Sequence, residues 1–86
     1  MMPVSNAKEL GAAIRANRRA LGVTLSDLAT RLGYRRQTIA DLEAGKNVKL
    51  YLVLAVLSAL DKGLVVANKS RPEYEMLAEI FREPEE

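Results

Sequence analysis

The sequence predicts an all-α fold of four to five short helices, with one short strand near its C-terminal end. Three observations carry this prediction. Apolar residues recur at helical spacing in successive segments up to Leu60 and again from Tyr74 to Phe81. Glycines at positions 33 and 45 stand where those segments stop. The one β-branched run bounded by turn residues is Leu64-Val65-Val66-Ala67. Eighty-six residues allow one small domain with a thin core, which oligomerisation would support. Residues 1–68 form that domain in this reading, and residues 69–86 form an acidic amphipathic tail.

The first helix starts at a capping signal. Asn6 or Ser5 can accept from the backbone, and Glu9 stands three residues after Asn6. Leu10, Ala13, Ile14, Asn17 and Leu21 make its expected inner stripe. Arg15 and Arg19 lie outward, either as phosphate contacts or as solubilising charges.

The second helix opens at Thr24, a good N-cap, with Asp27 three residues on, where its charge suits a helix N-terminus. Leu25, Leu28, Ala29 and Leu32 fall at i, i+3, i+4 and i+7, one buried stripe. Gly33 stops the helix, because glycine accepts the left-handed conformation such a turn requires. Tyr34 and Arg35 lead into a third helix that ends at Gly45, with Ile39 and Leu42 inward. Two short helices joined by a Gly-bearing turn match a helix-turn-helix unit.

The outward face of the third helix carries Arg36, Gln37, Ala40, Asp41 and Ala44. Arginine can bond guanine O6 and N7, glutamine can bond adenine N6 and N7, and aspartate can accept from cytosine N4. Helices that touch base edges do so near their N-terminal ends, where these groups cluster. A solvated polar face is the competing explanation. The capped helix and the glycine turn that precede it favour DNA.

Lys46-Asn47-Val48-Lys49 follows directly, and its lysines and amides suit phosphate, a contact that sets position and affinity without reading sequence. Leu50 to Leu60 is the most apolar stretch. Leu50, Val53, Leu54, Leu57 and Leu60 form its expected core stripe, with Leu52, Val56 and Ala59 to the side. A helix apolar nearly all round is buried on more than one face. In so small a chain, Leu52 and Val56 are therefore expected at a two-fold dimer interface.

Leu64, Val65, Val66 and Ala67 read as a strand, or alternatively as a loop or helix extension. A lone strand leaves its backbone groups unpaired, so pairing with its copy in a second subunit is the simplest resolution. In the tail, Ser70-Arg71-Pro72-Glu73 offers helix-start signals. Tyr74, Leu77, Ala78 and Phe81 follow at helical spacing. That acidic helix either closes the dimer core or lays Tyr74, Leu77 and Phe81 into a partner's groove.

From Gly22 to Gly45 the pattern G-V-T-L-S-D-L-A-x-x-L-G-x-x-x-x-T-I-A-D-L-E-A-G resembles the phage-repressor-like (Xre/Cro) helix-turn-helix family. The resemblance spans roughly residues 8–61 and implies a lambda-repressor-like fold. By position it places Arg36, Gln37 and Asp41 among the base readers, with Arg35 and Thr38 flanking them; Thr24, Lys46, Asn47 and Lys49 are expected as further flanking or phosphate contacts. It also implies an ion pair between Arg18 and Glu43, bracing the first helix against the third. Many members carry Gln where this chain has Leu25, which cannot hydrogen-bond a phosphate.

The leucine-rich helix ending at Leu60-Asp61, followed by a short apolar strand, further resembles the HipB-type antitoxins. That likeness implies a strand paired across a homodimer and a palindromic double-stranded DNA operator. It also implies autoregulation and a HipA-like kinase toxin as a possible partner. A stand-alone repressor or restriction–modification controller is the alternative.

Composition excludes much else. With no Cys and no His, disulfides, the usual zinc site and the common general base are absent. No metal, cofactor or catalytic set is expected. Residues 1–71 carry twelve Lys and Arg against five Asp and Glu, whereas residues 72–86 carry one Arg against six Glu. A basic body with an acidic tail suits a nucleic-acid binder. No apolar run is long enough for a membrane span, and no secretion signal is apparent, so a cytoplasmic protein is expected.

Overall fold

In the computed structural model, residues 4–68 are described. They form four helices, α1 (Ala7–Ala20), α2 (Leu25–Leu32), α3 (Arg36–Glu43) and α4 (Leu50–Ala59). The expected tail helix, with Tyr74, Leu77 and Phe81, lies outside the described residues. So does the proposed second unit at 69–86.

Each helix start has a local cause. Asn6 Oδ1 accepts from the Glu9 amide at 2.8 Å, and the Glu9 carboxylate accepts from the Ser5 amide at 2.7 Å. Two donors at the start of α1 are satisfied this way. Thr24 and Asp27 form a reciprocal capping box on α2. The Asp27 amide donates to Thr24 Oγ1 at 3.0 Å, and the Thr24 amide donates to Asp27 Oδ2 at 3.4 Å. Gly33 ends α2 at φ 77°, and the Tyr34 amide then donates to the Ala29 carbonyl at 2.9 Å. A side chain at position 33 would meet the steric penalty of left-handed backbone.

α3 packs against both α2 and α1, and α4 packs against α2. Ile14, Leu28, Ala29, Ile39, Leu42, Leu52, Val53, Val56, Leu57 and Leu60 form one buried core. Leu10, Val23, Leu25, Leu32, Tyr34 and Val48 seal its margins. Full burial of an Ile, Leu or Val side chain stabilises by about 1.5–3 kcal/mol, more than an exposed ion pair contributes. This core therefore dominates the fold.

Three expectations change. In α1 the buried line is Gly11, Ile14 and Arg18, while Leu21 is exposed at the helix end. In α4 the inward residues include Leu52 and Val56, at 3% and 0% exposure within the single chain. They belong to the monomer core and are closed to a dimer partner. Leu50 and Leu54, expected inside, are exposed. Residues 52, 53, 56, 57 and 60 share one face as well as the expected stripe would, and apolar residues occupy both. Periodicity cannot choose between two apolar faces, and packing against α2 does.

The third change concerns the C-terminal segment. No strand occurs among the described residues. Leu64, Val65, Val66 and Ala67 run without regular structure and are exposed. Among the described residues they have no neighbouring strand to pair with.

Candidate nucleic-acid interface

The outward side of α3 depends on how its other side is held. Arg18 reaches from α1 across to the last residue of α3. Its Nε donates to Glu43 Oε2 at 2.6 Å, and its Nη2 donates to Glu43 Oε1 at 3.0 Å. Its Nη1 donates to the Val23 carbonyl in the α1–α2 turn at 2.7 Å. One guanidinium therefore ties together α1, the following turn and α3. Both side chains are more than nine-tenths buried, and no buried side-chain polar atom lacks a partner among the described residues. The hydrogen bonds that Arg18 donates to Glu43, opposed by desolvation and aided by the charge of Glu43, raise the Arg18 pKa above its ordinary value. The planar fork of arginine matches a carboxylate in two parallel bonds, which lysine cannot reproduce.

Gly11 brings α1 close to α3. A Cβ there would stand 2.5 Å from the Leu42 carbonyl oxygen and would also collide with the Glu43 carbonyl. Only hydrogen fits against this backbone. Sequence reading passed over Gly11, because a glycine inside a helix gives no sign of which backbone lies opposite it.

With its inner side so held, α3 presents its first turns outward. Arg35, Arg36 and Gln37 are exposed, and Thr38 and Asp41 are half-buried. Arg35 occupies the N-cap position without a side-chain cap bond. The early amide donors of α3 therefore lie beside two guanidinium groups, an arrangement favourable to anions. Gln37 Nε2 donates to Asp41 Oδ1 at 2.8 Å, one helical turn along. The Lys46 ammonium stands 3.5 Å from the same oxygen. The sequence places Gln37 and Asp41 four apart, the spacing at which such pairs meet.

Around this face, Arg18, Arg19, Gly22, Thr24, Ser26 and Arg36 help line an open depression of about 420 Å³. It joins the start of α2 to the start of α3. Thr24 Oγ1 already accepts from Asp27, leaving its hydroxyl hydrogen free to donate. Leu25 adds an apolar wall and no donor. Asn47 and Lys49 are exposed in the loop after α3, with the Lys49 ammonium 5.9 Å from the Tyr51 ring centre. Among the described residues, no group of three acidic, His or Cys side chains could hold a metal ion. No helix among them is long and apolar enough to cross a membrane.

A family model described as Helix-turn-helix matches residues 14–66, more than half of the chain. No curated protein matches the sequence. Solved structures with the same fold include a HipB-O4 20mer complex, at 22% identity and a TM-score of 0.75, covering 81% of this chain and 100% of that one. A complex of a HipB variant with an O2 20mer aligns at 21% identity and the same TM-score, covering 81% of this chain and 99% of that one. A chain of a HipA-HipB-O2-O3 complex aligns at 22% identity and a TM-score of 0.74, covering 81% of this chain and 100% of that one. The chain belongs to the helix-turn-helix family and has the fold of the HipB structures.

Proposed function

We propose that this chain is a sequence-specific DNA-binding repressor, acting as the antitoxin of a HipA-like kinase and controlling its own operon. The observation that carries the DNA reading is the uncapped start of α3. It exposes Arg35, Arg36 and Gln37 together while the buried Arg18–Glu43 pair braces the helix from behind. Donors held on a rigid helix suit base edges in the major groove. Arg36 and Gln37 meet base edges, with Asp41 beside them. Arg35, Thr24, Thr38, Asn47 and Lys49 contact the sugar–phosphate backbone, and Lys46 stands at the margin of that set. Two copies of the chain present two recognition helices to successive major grooves about 34 Å apart, so the operator is a palindrome.

The exposed apolar residues Leu50, Tyr51, Leu54, Leu64, Val65 and Val66 support self-association, since large apolar side chains left in solvent in such number are usually covered. The toxin partner rests on the fold shared with a chain of a HipA-HipB-O2-O3 complex.

The test is co-expression with the neighbouring open reading frame, followed by native mass spectrometry with and without duplex from the upstream region. A complex containing two copies of this chain, the neighbouring product and the duplex supports the full reading. A bare dimer on the duplex makes the chain a stand-alone repressor. No retention of duplex under any of these conditions refutes the DNA reading.

A further inference from the structure

The side chain of Gln37 has two chemically opposite ends. Its carboxamide oxygen accepts, and its amino group donates. A glutamine free to rotate can turn either end toward a base. The oxygen meets the donors of adenine N6 or cytosine N4, and the amino group meets the acceptors of guanine or thymine. Gln37 is not free in this respect. Its amino group donates to Asp41 Oδ1 at 2.8 Å. An ionised carboxylate accepts only, so the reversed amide would set two acceptor oxygens against each other at that distance. Lys46, at 3.5 Å from the same oxygen, partly offsets the charge of Asp41.

We propose that Asp41 is a specificity-determining positioning residue, which holds Gln37 with its carboxamide oxygen outward and commits it to adenine over guanine. The inference rests on the reading of α3 as the DNA-contacting helix. The second amino hydrogen of Gln37 remains available, so the outward edge presents one acceptor and one donor. That pair is complementary to adenine N6 and N7, and guanine O6 and N7 would need two donors. Asp41 is then no base reader itself. It acts through Gln37, and Lys46 acts on Asp41 before it acts on any phosphate.

The experiment is selection from a random duplex library by the full chain and by three variants, Gln37→Ala, Asp41→Asn and the double substitution. Asparagine keeps the size of the side chain and can donate as well as accept, so it tolerates either orientation of Gln37. The wild-type chain should enrich adenine at one base pair in each half-site, and Gln37→Ala should lose that preference. Asp41→Asn should admit guanine at the same base pair, with discrimination falling about ten-fold. Preferences at the other base pairs should be unchanged. The double variant should match Gln37→Ala.

Retention of full adenine preference in Asp41→Asn overturns the proposal while leaving the DNA reading intact. So does loss of preference at a second base pair that Gln37→Ala leaves alone, because Asp41 would then read its own base. Absence of any enriched sequence with the wild-type chain overturns both.

Discussion

The contact between α1 and α3 and the outward side of α4 stand in contrast. At the first, a buried Arg18–Glu43 pair and the close approach at Gly11 satisfy every demand within one chain. At the second, Leu50, Tyr51, Leu54 and the following Leu64, Val65 and Val66 remain open to solvent. The polar contact is closed and the apolar surface is open, the reverse of simple expectation. The difference separates two tasks. The position of α3 is set internally, and the surface of α4 is available to another body.

Perturbing the closed contact should have the largest effect. Glu43→Ala leaves a buried guanidinium without its carboxylate and should destabilise by about 3–5 kcal/mol, measured by chemical denaturation. Replacing both partners, as in Arg18→Met with Glu43→Leu, should recover most of that loss. A double variant as unstable as the single one would show that the pair itself, and not the unpaired charge, carries the effect. Gly11→Ala should cost about 1–3 kcal/mol, because α1 and α3 must separate to admit the methyl group. A melt unchanged by that substitution would place slack in the contact that the geometry denies.

Perturbing the open surface should act differently. Leu54→Glu should leave the helical circular dichroism of the chain unchanged and reduce its sedimenting mass to that of a single chain. An unaltered assembled mass would remove this side of α4 from the interface. The smallest effect is expected at Asp61, which holds φ 60° just after α4. Asp61→Gly should raise stability by roughly 0.5 kcal/mol through relief of left-handed strain, partly offset by the greater freedom of the unfolded chain. A fall in the melting midpoint would mean that the aspartate has a compensating role.

Local chemistry was the most legible part of the sequence. The Thr24 cap, the Gly33 turn and the α2 stripe each follow from residues within one turn of each other. The Arg18–Glu43 contact spans 25 positions and was reached through resemblance to a family pattern, not through local spacing. The orientation of α4 was not legible, because its two faces are equally apolar and only the shape of α2 distinguishes them. Gly11 was overlooked for a related reason, since its significance lies in the Leu42 and Glu43 carbonyls opposite. For the candidate site, the sequence located Arg36, Gln37 and Asp41 on one face. Residue type alone makes Asp41 an independent reader, whereas its i, i+4 spacing from Gln37 allows the bond that the structure shows.

The central claim is that the first turn of α3 reads bases while its buried side holds it in place. The most direct measurement is the affinity of the chain and of Arg36→Ala for a selected duplex and for a scrambled one, across a range of salt. The variant should lose about 1–3 kcal/mol on the selected duplex and relax its preference at one base pair. Its binding to the scrambled duplex should be little changed. Equal weakening on both duplexes would contradict the account, since Arg36 would then be a phosphate contact.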